Sequence, residues 1–444
     1  MTGGLSWLAI VRLGLVQTAL GAIVVLTTTT LNRIMVVEYA LPAVLPGALV
    51  AFHYAVQMSR PRWGYGSDMG GRRTRWIVAG MAVLAFGGLL AAVATALMAQ
   101  SLFLGLLLAV TAFALIGLGV GASGTSLLAL LATHVAERRR PAAASIVWIM
   151  MIAGFVVTAA TAGAFLDPYS GSRLVAVSAV VSLCAFALAT IAVVGVEPAS
   201  DVRVNAGRRT TEGRSDFRTA LAQVWAEGAA RRFTIFVFVS MLAYSAQDLI
   251  LEPFAGHVFG LTPGESTQLG GLQNGGVLTG MIIVAVLGSG FAGSLFGSMR
   301  LWAVGGCLGS ALAFAGLMMA ALAPAGWPLH ANVFALGFAN GAFAVAAIGS
   351  MMGLAGQGRS RREGTRMGLW GAAQAVAFGL GSFLGTALVD GARGMLGEPA
   401  PAYAVVFAIE AVLFVVAALI AARVAPTRAL GRVSGDAAAL RSAA

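Results

Sequence analysis

The sequence contains no lysine, only two cysteines and only 17 acidic residues in 444 positions, so that 10% of its residues are charged while 59% are hydrophobic. A water-soluble domain of this length needs far more charge to cover its outside, and the chain is excluded from that class. Cys184 and Cys307 lie far apart in separate apolar runs, which excludes a disulfide framework and a thiolate metal site and predicts two packing residues. Also missing are a paired His and carboxylate motif, a phosphate-binding glycine loop and a nucleophile arrangement. No catalytic site emerges, and the reading is that the protein is not an enzyme and holds no metal site. No short apolar leader with a small-residue cleavage site opens the chain, so the first apolar run is expected to stay as a helix.

What the sequence has instead is a series of long apolar runs. A hydrocarbon layer of about 30 Å is crossed by roughly 20 apolar residues in a helix. Twelve runs meet that need, near 12–31, 40–59, 76–98, 103–130, 142–165 and 174–195, then 233–254, 268–289, 301–323, 329–354, 366–389 and 402–423. The 58 glycines fit close helix-to-helix approach in a bilayer, where small residues line the facing stripes. Between the two sets of six lies the one long polar stretch, Glu197 to Ala230. The chain therefore reads as an N-terminal six-helix bundle (1–196), a cytoplasmic linker (197–230), a C-terminal six-helix bundle (231–424) and a cytoplasmic tail (425–444). Within the linker, Phe217, Leu221, Val224 and Trp225 follow Ser215 at helical spacing. They predict a short amphipathic helix that lies on the membrane surface or packs its apolar face on the protein.

Charge is informative through its placement. All 28 basic residues are arginine, and the net charge is +11. With both termini inside, only Arg33, Arg173 and Arg393 fall on the far side of these spans. That asymmetry is the positive-inside pattern of a bacterial inner membrane protein, and it accounts for the basic balance without nucleic acid.

The sharpest local motif is Gly64-Tyr65-Gly66-Ser67-Asp68-Met69-Gly70-Gly71-Arg72-Arg73, between the second and third spans. Glycine permits a tight turn, and an aspartate at a helix start is favoured by unpaired amides and can hold an arginine. The segment resembles the loop signature of the major facilitator superfamily, with Met69 where a basic residue is usual. The resemblance implies an all-α membrane fold of twelve helices in two six-helix halves, with Gly64, Asp68, Gly71, Arg72 and Arg73 acting as a conformational latch. A helix cap anchored at anionic headgroups is the simpler alternative. The fourth span carries no arginine and the fifth lacks the Gly-Pro-rich antiporter signature, which argues against ordinary drug or sugar transport.

A second resemblance is more extensive. Arg12 to Gln17, Thr27 to Glu38, Leu41-Pro42-Ala43, Arg60 to Gly64 and Gly364 to Ala375 are similar to the PucC family of light-harvesting complex assembly proteins from phototrophic bacteria. The resemblance implies a factor that delivers or handles bacteriochlorophyll, as cargo rather than resident cofactor, for antenna apoproteins. Its implied partners are those apoproteins and pigment-synthesis enzymes. A secondary transporter of a small amphipathic solute and a membrane scaffold without a solute remain as alternatives.

Polar side chains inside a bilayer are costly without partners and mark sites by default. Asn32, Arg33 and Glu38 stand near the end of the first span. Residues three or four apart meet on an α-helix, so Arg33 and Glu38, five apart, are expected to face different partners or to snorkel to the interface. Glu252 follows the seventh span much as Glu38 follows the first. Asp248, Gln374 and Glu410 complete the set of polar points, most simply read as helix-to-helix hydrogen bonds. His53 is the one histidine well inside a span, a possible pigment magnesium ligand or a hydrogen-bonded core histidine. From the arginine asymmetry, reporter fusions at Gly207 and near Gly435 should both read cytoplasm and one near Asp167 periplasm. Opposite readings for Gly207 and Gly435 would remove the even layout.

Overall fold

The computed structural model describes residues 5–59, 72–135, 139–197, 225–287, 298–355 and 363–424. Gly64, Asp68 and Gly71 of the loop motif, and most of the expected amphipathic helix, lie outside these residues. Twelve helices run through the described chain: α1 (Trp7–Glu38), α2 (Val44–Gln57), α3 (Arg73–Met98), α4 (Leu102–His134), α5 (Arg140–Leu166) and α6 (Gly171–Val193). There follow α7 (Gly228–Phe259), α8 (Pro263–Val286), α9 (Met299–Leu322), α10 (Leu329–Ala355), α11 (Glu363–Leu396) and α12 (Pro399–Val424). Eleven contain a stretch long and apolar enough to cross a membrane; α2 is apolar but has 14 residues. The expected twelve spans thus correspond one to one with these helices, and the protein is a multi-pass membrane protein.

Serines start several helices in the usual way, by accepting an otherwise unpaired amide. Ser6 accepts from Ala9 N at 3.2 Å, Ser170 from Arg173 N at 3.2 Å and Ser298 from Leu301 N at 3.4 Å. The first helix runs longer than 12–31 at both ends because the polar residues that set those limits are accommodated inside. Arg12 donates to the carbonyls of Ile191 and Val194 at the end of α6, where a cation meets the negative end of a helix. Asn32 and Arg33 are buried.

Two compact units are distinguished by packing. The first holds residues 1–213, 245–274 and 378–403, and so contains the connections after α1, α5, α7 and α11 together with Arg33, Arg173 and Arg393; these connections are called the Arg-poor end below. Its core is mainly aliphatic, built on Leu13, Leu20, Ile23, Ile77, Leu84, Ile116 and Leu127 with Phe113 among them. The second holds residues 214–244, 275–377 and 404–444. Its core is a chain of six phenylalanines, with Phe233, Phe236, Phe343, Phe414, Phe314 and Phe407 in successive ring contact. Phe86, Phe103, Leu107, Phe165, Leu312 and Leu419 are exposed, as lipid-facing positions require. Cys184 is exposed and only Cys307 is buried, so the expectation of two packing cysteines holds for Cys307 alone; Cys184 lies on an outer face.

The helices α3 and α4 of the first unit approach closely at two glycines. A Cβ on Gly119 of α4 would stand 2.6 Å from Leu84 N and 2.7 Å from Gly80 O, and one on Gly80 of α3 would stand 2.6 Å from Ser123 N. Backbone cannot give way as a flexible side chain can, so Gly119→Val should destabilise by about 3 kcal/mol. Gly124→Ala, whose nearest neighbour would be Leu20 Cδ1 at 3.9 Å, should leave stability unchanged. Thermal midpoints in detergent check this, and equal midpoints for the two variants would contradict it.

Candidate functional site

The residues that place the site begin with Thr27, Thr28, Thr29 and Thr30. Thr27 Oγ1 donates back to Ile23 O at 3.0 Å, Thr28 Oγ1 to Val24 O at 2.8 Å and Thr29 Oγ1 to Val25 O at 2.8 Å. Such hydroxyls compete for the carbonyls of the preceding turn and bend helices. Here the backbone opens into a π turn over Leu26–Thr30 and, after Leu31–Arg33, into another over Ile34–Glu38. Leu31 N donates to Leu26 O, and Tyr39 N to Ile34 O, each five residues back.

The second π turn corrects the reading of Arg33 and Glu38. In an α-helix residues five apart are about 140° apart around the axis, but an i to i+5 turn brings them into line. Arg33 Nη1 pairs directly with Glu38 Oε1. Arg33 does not snorkel. It is 1% exposed, and its Nη2 donates to Leu261 O in the α7–α8 connection. Gly256 makes room for it, since a Cβ there would stand 3.0 Å from Arg33 Nη2.

Around this arginine the structure gathers Asn32, Glu38 and Glu252 from the polar set. Asn32 Nδ2 donates to Leu249 O at 2.5 Å. Glu252 is buried, with Arg33, Thr29 and Thr267 among the polar groups near it. Thr267 Oγ1 meets Thr30 Oγ1 at 3.1 Å. Asp248, half-buried, lies one residue from Leu249, and the neighbouring Gln247 is buried with neither amide atom partnered among the described residues. A buried arginine beside acids, absent from α4, is thus supplied by α1.

The mouth of this cluster is an open cavity of about 600 Å³ lined by Arg33, Glu38, Asp167, Tyr169 and Thr262 among others. Tyr39 and Tyr169 share a hydrogen bond of 2.8 Å. Burial, the Tyr39 hydroxyl and the nearby Glu38 carboxylate raise the Tyr169 phenol above its ordinary value, so it stays neutral at physiological pH.

The other expected residues lie elsewhere. His53 is buried with its Nε2 2.7 Å from Gln57 Nε2 and its ring edge-on to Tyr54, the geometry of a hydrogen-bonded core histidine. Gln374 reaches Met241 Sδ at 4.0 Å in the second unit. Glu410 is buried there, between Phe407 and Phe414 in the sequence of α12. Arg72 is exposed and Arg73 buried at the start of α3. Sequence reasoning missed Glu197, whose carboxylate accepts from Arg73 N and Thr74 N, each at 3.1 Å. It also missed Asp167, Thr262, Glu265 and Asp390. Of these, Thr262-Pro263-Gly264-Glu265 carries a readable signal, the Thr-x-x-Glu capping box, and the structure forms it: Glu265 N to Thr262 Oγ1 is 3.2 Å and Thr262 N to Glu265 Oε2 is 2.9 Å.

With the geometry in place, comparison with known proteins settles the family. A family model described as PUCC protein matches residues 30–429. The chain belongs to the PucC family. It is 55% identical over 431 residues to the protein named bacteriochlorophyll synthase 44.5 kDa chain of Rhodobacter capsulatus, covering 97% of this chain and 98% of that one. It is 31% identical to Protein PucC of the same organism, covering 92% and 90%. Among solved structures, the D-xylose-proton symporter superposes with a TM-score of 0.69 at 15% identity, covering 95% of this chain and 97% of that one. A structure of proton dependent oligopeptide transporters superposes with a TM-score of 0.65 at 16% identity, covering 94% and 98%. At that identity the likeness shows the fold alone, and the fold of this PucC family member is the major facilitator type.

The Arg33–Glu38 pair has one buried and one partly exposed partner, so its contribution is modest. Glu38→Gln should cost about 1–2 kcal/mol. Arg33→Ala should cost more, because it also strips Leu261 O of its donor and opens a cavity. Thermal midpoints in detergent read both, and an unchanged midpoint for Glu38→Gln would show that the pair adds nothing.

Proposed function

We propose that this protein is an assembly factor for photosynthetic light-harvesting complexes that hands bacteriochlorophyll to antenna apoproteins. The observation that carries this reading is the full-length similarity, at 55% identity, to a protein named for bacteriochlorophyll synthesis, within a family that includes relatives named Protein PucC. A major facilitator fold suits handling of an amphipathic cargo in the membrane better than bond-making chemistry. The chain is therefore read as a partner of pigment-synthesis enzymes and antenna apoproteins rather than as the catalyst.

The rest of the layout follows as part of the same reading. The chain sits in the inner or intracytoplasmic membrane with both termini in the cytoplasm, so the Arg-poor end faces the periplasm. Its halves are 1–196 and 231–424, joined by the linker 197–230 and followed by the tail 425–444, and duplicated halves suit a site that opens to either side. Asp68, with Gly64, Gly71, Arg72 and Arg73, latches the cytoplasmic side. Asn32, Arg33, Glu38, Asp248 and Glu252 form the polar point that cargo or a coupling ion meets; Gln374 and Glu410 are further contacts, and His53 is a hydrogen-bonded core residue rather than a pigment ligand. The Arg33, Glu38 and Glu252 cluster favours one second reading, an ion-coupled secondary transporter of a small amphipathic solute.

Deleting the gene in its phototrophic host should reduce assembled antenna while apoprotein transcripts stay normal, with free apoprotein degraded for want of a stabilising ligand. Complementation with Asp68→Asn should restore protein level but not antenna, and His53→Ala should restore both, given the hydrogen bond of its Nε2 to Gln57. Absorbance of the antenna bands and immunoblots check these outcomes. Full antenna in the deletion strain, with no paralogue compensating, would overturn the assembly reading in favour of the transporter.

A further inference from the structure

Two helix starts at the Arg-poor end are held by carboxylates from other helices, in a matched pair. The start of α2 has no side-chain cap of its own, since Ala43 occupies that position. Asp390 of α11 supplies one: Ala43 N donates to its Oδ1 at 3.0 Å and Val44 N to its Oδ2 at 2.7 Å. At the start of α8, Asp167 at the end of α5 accepts from Thr262 Oγ1 at 2.6 Å and from Gly264 N at 3.2 Å. The helix α5 is the fifth in the chain and α11 the fifth counted from α7; α2 and α8 are the second on the same count. Each fifth helix thus caps the second helix of the opposite set.

The match extends one turn into each seam. A Cβ on Gly47, four residues after Ala43, would stand 2.0 Å from Oγ1 of Thr386, four residues before Asp390. A Cβ on Gly163, four residues before Asp167, would stand 2.7 Å from Gly264 O and 2.8 Å from Gln268 Cγ, where Gln268 is four residues after Gly264. Both seams therefore combine a close approach at small or polar residues with a carboxylate cap at the rim. Neither carboxylate makes a salt bridge among the described residues. Their structural use is to accept amides of a helix to which they do not belong.

We propose that Asp167 and Asp390 are paired latches of the periplasmic side, and that opening this side to solvent requires both carboxylates to leave the helix starts of α8 and α2. The proposal rests on the reading of the protein as one that opens to either side. Charge-assisted caps are among the stronger hydrogen bonds, and a capping aspartate adds the attraction of the helix dipole. Two such contacts, broken together, bias the closed form, while the backbone amides on the open form are free to take water.

The test is solvent access to a buried position behind the rim. Ser266 is fully buried, and Ser266→Cys, in a full-length chain carrying Cys184→Ser and Cys307→Ala, gives a near-isosteric thiol. In cells with a permeabilised outer membrane, a membrane-impermeant thiol reagent should label it slowly. Asp167→Ala with Asp390→Ala should raise the rate at least about tenfold, with Asp167→Asn and Asp390→Asn, which keep one acceptor oxygen each, in between. An unchanged rate overturns the proposal. To separate opening from unfolding, Gly47→Cys and Thr386→Cys are added, their Cβ atoms standing 3.0 Å apart, within about 0.5 Å of disulfide geometry. With labelling read at position 266 alone, by peptide mass spectrometry, oxidation should return the doubly substituted chain to slow labelling there and prior reduction should release it; fast labelling at 266 that ignores the disulfide means local unfolding and also overturns the proposal. Labelling needs no antenna, so altered labelling without any antenna defect would sink the assembly reading and leave the latch standing.

Discussion

A helix start leaves backbone amides that must find an acceptor, either a side chain or, where the start is exposed, water. That constraint organises the parts of this protein that carry meaning. Where a serine precedes the helix the problem is solved locally, as at Ser6, Ser170 and Ser298. Where it does not, the acceptor comes from elsewhere in the chain: Asp390 for α2, Asp167 for α8 beside its own capping box, and Glu197 for α3. Each such acceptor joins two helices remote in sequence, so satisfying a local backbone need also fixes tertiary structure.

The same logic operates at Arg33. A guanidinium buried in a membrane protein requires acceptors on more than one side, and a regular α-helix does not supply one from its own turn. The π turn over Ile34–Glu38 brings Glu38 round to it, and the α7–α8 connection offers Leu261 O. Arginine suits this position better than lysine because its planar fork reaches two acceptors at once. The threonines before it loosen the helix by drawing carbonyls to their hydroxyls, so the irregularity of α1 arises from its own residues.

This division explains what could be read from the sequence. Span number and order follow from apolar length alone, and the structure returns a helix for each expected run. The positions of Asn32, Arg33, Glu38 and Glu252 could be flagged because polar residues stand out in hydrocarbon. Their grouping could not, since the rule of three or four residues presumes a regular helix and α1 breaks it. Asp167 and Asp390 look like ordinary loop residues at span ends, with α11 running on past Asp390 to Leu396. Which foreign helix an aspartate caps is a long-range fact with no periodic trace. The capping box at Thr262 is the exception, a local signal that spacing does carry.

Amide caps also differ in kind from ion pairs as devices for holding a membrane protein shut. An ion pair weakens slowly as its charges separate, and a long side chain can follow a moving partner. A short aspartate accepting from a fixed amide loses its bond over a fraction of an ångström and a modest change of angle. Once released, the amide and carboxylate at a water-facing rim are both solvated, which removes the penalty for staying apart. Two such caps at related positions, each backed one turn deeper by a close helix approach, therefore favour either full engagement or full release over any intermediate. On the proposed reading of a protein that opens to either side, two short side chains and the starts of two helices would supply that property at the periplasmic side.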